Sequence, residues 1–241
     1  MKMLKKLRLL LFFLFLFSCY DFHLTDEEIT AGLKSALEFG SKYALKSLGV
    51  EDGFYKDIVV KIGLPQDVAT VVTQISKIPG FGDAIKLIEE QLILTINRAA
   101  EASIAEVVPI VVDAITDMTI QDAKTILLSS NNIAATEYLR EKTYEPLCNA
   151  CISVIEGALN KKIVLNTSAQ DVWKNFTDVY NTVSQIPFVN LSPVTTDLAE
   201  YTTSKTLDGV FIKIGDEEKK IRTDINARTT DLLRRVFRQL D

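Results

Sequence analysis

From Asp83 to Thr143 apolar residues recur three and four positions apart, the spacing that lays one stripe along an α-helix. The period also holds on either side of this stretch. Thr25-Asp26-Glu27-Glu28 spells a capping box, in which the threonine hydroxyl accepts from the amide three residues on and Glu28 reaches back. Ile29, Leu33, Leu37, Tyr43, Ala44 and Leu48 follow on one side of a first helix, and Gly49 is placed to end it. Val50 to Leu64 breaks the period, with Asp52-Gly53 as a turn and Ile58-Val59-Val60 as a short extended run. Pro65 suits the first position of a second helix, which presents Val68, Val71, Val72 and Ile75 and stops at Ile78-Pro79-Gly80.

The long helix starts near Asp83. Pro109 removes one of its hydrogen bonds and crowds the preceding turn, which predicts a kink or break around Glu106 to Val108. Thr119 then caps a short helix with Asp122 at its third position, and Ser129-Ser130-Asn131-Asn132 makes a polar turn. A helix from Ile133 towards Lys162 is expected to bend at Pro146, and Asn166-Thr167-Ser168 opens the next, Ala169 to Gln185. Asp197 starts another long one through Lys220, in which Gly209 and Gly215 each cost up to about 1 kcal/mol unless close packing needs them. Thr229 or Thr230 caps the last, Asp231 to Leu240. The pattern predicts an all-α fold: a single bundle-like or orthogonal multi-helix domain of about eight helices over residues 26–241.

An internal echo accompanies this order. Val72 to Pro79 resembles Tyr180 to Pro187, and Asp122 to Leu128 resembles Asp231 to Phe237, at an offset of 108 or 109 residues. An ancient duplication would leave such a pair. Few identities support it, so chance is an open alternative.

The N-terminus departs from the amphipathic pattern. Lys2, Lys5, Lys6 and Arg8 precede a run from Leu9 to Phe17 with no polar residue, then Ser18 and Cys19, the three-part order of a secretory signal. The run is about half the roughly 20 apolar residues that a membrane span needs. Leu16-Phe17-Ser18-Cys19 resembles a bacterial lipobox, which implies acylation of Cys19 and removal of residues 1–18; plain secretion is the alternative. Residues 19–25 would then be a short lipidated tether, and Tyr20 following the cysteine points to the outer membrane rather than retention at the inner one.

Composition narrows the chemistry. Hydrophobic residues make up 47% of the chain, ample for a core, and few glycines and prolines favour long helices. Without the four signal cations, 23 basic side chains face 32 acidic ones, so the mature chain is acidic and poorly suited to nucleic acid. His23 is the only histidine and Trp173 the only tryptophan. With one histidine, in the expected tether, triads of the Ser-His-Asp kind and the usual zinc sites lack their base or ligand, and no metal or cofactor is expected.

Polar residues inside the apolar stripe are the candidate site. Asn97, Arg98 and Glu101 share one side of the long helix, and with Asp122, Arg140, Arg222, Arg228 and Asp231 they could form either a buried charge network or the lining of a polar pocket. Glu101, Asp113 and Asp122 would support carboxylate-based catalysis only if at least two of them converged in one cleft. Cys148-Asn149-Ala150-Cys151 has the spacing of a redox pair but no surrounding strand-helix pattern, which leaves two small apolar side chains or a candidate disulfide in an exported protein.

The runs Asn97-Arg98-Ala99-Ala100-Glu101, Asp113 to Thr119 with Asp122-Ala123, Ala135 to Arg140, Leu207 to Phe211, Glu217 to Arg222 and Arg228 to Leu233 resemble, in order, the bacterial domain of unknown function 4197. The resemblance implies a helical, exported, often lipid-anchored protein and no particular activity. Cys151 and Ser153 depart from it, standing where a large apolar residue and a proline are expected. The expected function is that of a membrane-tethered envelope lipoprotein with a non-enzymatic interaction or structural role, its partners being the membrane and an envelope protein or lipid ligand. The alternatives are a carrier of an apolar, lipid-like ligand, which needs a large enclosed cavity among the helices between Ile58 and Leu128, and a carboxylate-based enzyme.

Overall fold

The computed structural model describes residues 24–241. The signal segment 1–18, Cys19 and His23 lie outside the described residues. Eight α-helices and no named strand are present among those described: α1 Asp26–Leu48, α2 Gln66–Ile75, α3 Gly82–Asp117, α4 Ala123–Leu127, α5 Ala134–Asn160, α6 Ala169–Ser184, α7 Leu198–Thr223 and α8 Asp231–Phe237, with 3-10 turns at Ile225–Ala227 and Arg238–Leu240. The protein is therefore a single all-α domain, and none of these helices is long and apolar enough to cross a membrane.

Local chemistry explains the ends. Thr25 and Glu28 form the expected capping box at α1, and Ser168 with Asp171 forms another at α6. Asp197 caps α7 and Thr230 caps α8. Pro65 falls one position earlier than expected, at the cap of α2 rather than inside it.

The four long helices make the core. α1 lies along α7 and α3 along α5, while α5–α7 and α1–α3 contacts close the assembly; α6 leans on α3 and α8 on α1. Leu33, Leu37, Ile96, Ile104, Val111, Ile155, Leu207 and Ile214 are sealed between them. Gly40 and Gly209 permit two of the close approaches. A Cβ on Gly40 would stand 2.8 Å from the Ile214 Cα, and one on Gly209 would stand 2.6 Å from the Phe54 ring. Close packing thus needs Gly209, and Gly215 likewise faces Ile133 at 3.2 Å.

α3 runs through Pro109, so the break considered there does not occur, and α5 is one continuous helix through Pro146; two other local expectations are corrected. The carbonyls that lose a donor belong to Ala105 and Lys142, which are exposed and can be met by water, while Val107, Val108, Val111 and Leu147 hold the opposite faces in the core. Ile58-Val59-Val60 is a turn, not an extended run, because Asp57 accepts from the Val59 amide through its side chain and from the Val60 and Lys61 amides through its carbonyl. Asp122 is not the third residue of a Thr119-capped helix. It precedes Ala123 in left-handed backbone (φ 54°), exposed and without a capping hydrogen bond.

The internal echo extends to geometry. Asp26 and Ala134 open α1 and α5, and Ala123 and Asp231 open α4 and α8, each pair 108 positions apart. α2 and α6 end alike: Ile78 N donates to Ile75 O as Ile186 N does to Val183 O, and Phe81 N to Ile78 O as Val189 N does to Ile186 O. Ser76 and Ser184 each turn their hydroxyl back to the carbonyl three residues before, and Gly80 and Phe188 each follow the proline in left-handed backbone. The second half repeats the long, medium, long, short helix order of the first.

Candidate functional site

The polar residues singled out in the sequence do not meet in one place. They fall into three clusters and two surface positions.

The first cluster fastens the irregular segment 49–64 to α3. Asn97, fully buried, accepts from Ile62 N (2.9 Å) and donates to Ile62 O (2.7 Å), so its amide pairs with the loop backbone as a neighbouring strand would. One turn on, Glu101 Oε1 accepts from the amides of Phe54 and Tyr55, both at 3.0 Å. Its Oε2 accepts from Arg98 at 2.6 Å, and Arg98 also pairs with Asp52 at 2.6 Å. Asp52 itself takes left-handed backbone (φ 68°). Burial disfavours the Arg98 charge, but the pairs with Asp52 and Glu101 outweigh it and raise its pKa further; the Lys56 and Arg98 hydrogen bonds hold Asp52 below its ordinary range. From α7, Lys213 pairs with Asp57 at 2.6 Å and the Tyr201 hydroxyl donates to Gly63 O. Arg98 and Glu101 also form one wall of an open hollow of about 490 Å³ that reaches the exposed Leu165.

The second cluster lies at the far end of α7. Glu218, with no exposed surface, accepts from the amides of Ala135 and Thr136 and the Thr136 hydroxyl, which caps α5 from outside its own sequence. Arg222, one turn on, donates to Glu218 at 2.7 Å and to the carbonyls of Leu127 and Ile126, closing the end of α4. Arg228 turns back to the carbonyls of Ile221 and Arg222 and holds the Asp241 carboxylate with two bonds, which lowers the pKa of Asp241.

The third cluster clamps α5 to α7. Asp208 receives Arg140 and the Tyr144 hydroxyl (3.0 Å), with Lys205 at 3.4 Å. Burial, then the bond to Asp208, push the Tyr144 phenol well above its ordinary range. Cys148 lies next to this group, and burial followed by the Asp208 charge raises its thiol pKa; burial raises the Cys151 thiol to about 11.

Two residues expected in the network are outside it. Asp122 is exposed, and Asp231 is fully exposed, its side chain paired among the described residues with the neighbouring Arg234. Both sit at helix starts, where an acidic side chain suits the helix dipole without burial. Nor do Arg140, Arg222 and Arg228 reach the Asn97–Glu101 group: α3 meets the loop, while Arg140 pairs with Asp208 and the other two arginines serve the ends of helices. Glu101 is buried whereas Asp113 and Asp122 are exposed, so the carboxylates do not converge. Cys148 and Cys151 are free thiols, not a disulfide. Three positions apart in regular helix their Cβ atoms stand about 5–6 Å from one another, beyond the roughly 3.5–4.5 Å that a disulfide spans.

Glu218, Asp208, Lys213 and Asp67 carry as much of this wiring as the residues the sequence drew attention to. The first had a signal in its spacing, since Glu218 and Arg222 are four apart on one helix; the cross-links of the others to Arg140, Asp57 and Thr196 span more than 60 positions and had none.

A groove of about 650 Å³ lies between the end of α3 and the middle of α5. Ile110, Ala114, Met118 and Leu147 give it an apolar floor, and Asp117 and Lys142 stand at its rim. It is open along its length, unlike the enclosed cavity expected of a carrier. Among the described residues no cluster of three or more metal-ligating side chains occurs.

No curated protein and no solved structure matches this chain. The family model described as "Protein of unknown function (DUF4197)" matches residues 23–238, nearly all of the described domain. The chain belongs to the DUF4197 family.

Proposed function

We propose that this is an envelope protein, exported by its N-terminal signal, held to a membrane through acylated Cys19, and acting by non-enzymatic interaction or as a structural element. The observation that carries the reading is the use of the buried ionisable groups. Glu101, Arg222, Glu218 and Arg228 spend their hydrogen bonds on a loop and on helix ends, so their role is to hold one arrangement of the chain. Asp113, Asp117 and Asp122, the other carboxylates that the catalytic alternative would draw on, stand on the exposed surface apart from the buried Glu101.

Two variants test this. Cys19→Ser is expected to move the protein from the membrane to the soluble fraction, and continued attachment would contradict acylation. A chain with Asp113→Asn, Asp117→Asn and Asp122→Asn together is expected to complement a deletion strain in an envelope-permeability assay; failure of that folded variant would point to carboxylate chemistry.

A second reading has the groove in its favour. An acyl chain laid over Ile110, Met118 and Leu147, with an anionic end near Lys142, would fit a cleft of this size. Met118→Glu and Leu147→Glu should then remove lipid that co-purifies with the native protein. Unchanged lipid content, or none in the native protein, excludes it.

A further inference from the structure

We infer that a second, polar cleft, at the junction of α5, α6 and α7, is a binding site for a neutral saccharide ring. Its volume is about 350 Å³, at the small end of ligand clefts, and the only tryptophan in the sequence lines it. Trp173 is half-buried on α6 and backed by Phe176, with ring centroids 5.5 Å apart. Around it stand Glu156 and Asn160 from the last turns of α5, Gln170 from the first turn of α6, and Asp197 at the start of α7.

These polar groups are available. Among the described residues the Glu156 carboxylate and the Gln170 amide have no partner, and Asn160 uses only its amide nitrogen, on Glu156 O. Asp197 spends one oxygen on the Glu200 amide and keeps the other. The α7 wall is also fixed in advance. Asp67 of α2 accepts from the Thr195 and Thr196 amides and from the Thr196 hydroxyl at 2.7 Å; burial raises its pKa, but these bonds outweigh it and hold the carboxyl below its ordinary value. A site already ordered loses less entropy on binding.

The chemistry of the lining selects the ligand. Two carboxylates repel an anion, and the mostly polar wall does not suit an acyl chain. A flat indole beside carboxylate acceptors and amides that both donate and accept matches a pyranose ring, which has an apolar C–H face and hydroxyls at its edge. An N-acetylhexosamine adds an amide for Gln170 or Asn160 to meet.

Because Trp173 is the sole tryptophan, its fluorescence reports the site directly. Titration of the purified protein with triacetylchitotriose should give a saturable change in emission. Glu156→Ala with Gln170→Ala, both exposed and remote from the core, should weaken binding about tenfold or more, near 1.4 kcal/mol, with an unaltered melting temperature. Isolated peptidoglycan sacculi, tested by co-sedimentation, separate a polymeric glycan from a free sugar as the source. No saturable change with chitotriose, an equal change in the double variant, or a response to choline or decanoate in place of the sugar would overturn the assignment.

Discussion

The Glu218 carboxylate takes both the amide and the hydroxyl of Thr136, each at 2.7 Å, across 82 residues of chain and with no surface open to water. Its other oxygen holds Arg222 and the Ala135 amide. One buried anion thus joins the start of α5, the end of α4 through Arg222, and its own helix.

Removing that anion strands a buried guanidinium and uncaps α5. Glu218→Ala is expected to cost about 3–5 kcal/mol, while Glu218→Gln, which keeps the shape and part of the bonding, costs less. Urea unfolding followed by Trp173 fluorescence measures both. A loss under about 1 kcal/mol for the alanine variant would show that the cluster is not holding the helices together.

The loop contacts of α3 predict a different signature. Asn97→Ala and Glu101→Ala remove the partners of the Ile62 amide, and of the Phe54 and Tyr55 amides, without opening the main core. Each should cost about 1–3 kcal/mol and speed hydrogen exchange at those amides first. Exchange that rises uniformly over all helices would mean that the segment 49–64 is not a separate unit.

The helix order was legible in the sequence because it rests on local signals: the Thr25–Glu28 and Ser168–Asp171 boxes, the Asp197 and Thr230 caps, and the stripe through Ile96, Ala100, Ile104 and Val111. What the prolines would do was not, since whether Pro109 breaks α3 depends on which way Ala105 faces, and that is set by α5 and α1. The candidate site was half legible. Asn97, Arg98 and Glu101 stood out as polar residues in an apolar stripe, yet their partners are backbone amides of a loop with no pattern of its own. Trp173 drew notice only as a count of one. Its cleft arises where the last turns of α5 meet the starts of α6 and α7, and no short-range spacing records that meeting.

Two glycines give opposite predictions. Gly40→Ala would press a methyl group to within 2.8 Å of the Ile214 backbone, which no rotamer change relieves, and should cost about 1–3 kcal/mol. Gly157 sits exposed in α5 with nothing near its missing Cβ, so Gly157→Ala should stabilise by about 0.4–1 kcal/mol. Thermal unfolding of the pair checks the α1–α7 contact directly; a neutral Gly40→Ala would mean the helices are further apart.

The thiols should be slow to react. With Cys151 held at about 11 and Cys148 also raised, only about a thousandth of Cys151 is thiolate at pH 8. In a chain carrying Cys19→Ser, iodoacetamide should label neither within the time that fully labels the urea-unfolded chain. Rapid labelling of Cys151 would contradict its burial.

Acid should loosen the cross-links before it melts the helices. Asp57 is held below its ordinary pKa chiefly by Lys213, and Asp67 by the Thr196 and Thr195 donors that outweigh its burial. A depressed carboxylate contributes stability that is complete above the unfolded value, about 3.9, and is lost as the pH falls through the lower folded value. Between pH 8 and 5 these two bonds are therefore constant, and below about pH 4 the Asp57–Lys213 pair and the Asp67 grip on Thr196 weaken together. Thr196 shares the cleft of Trp173, so tryptophan emission should shift at a higher pH than the far-UV circular dichroism. Asp67→Asn should bring that shift to neutral pH with helicity intact. Coincident transitions by both probes would show that Asp67 is not what sets the wall of the cleft.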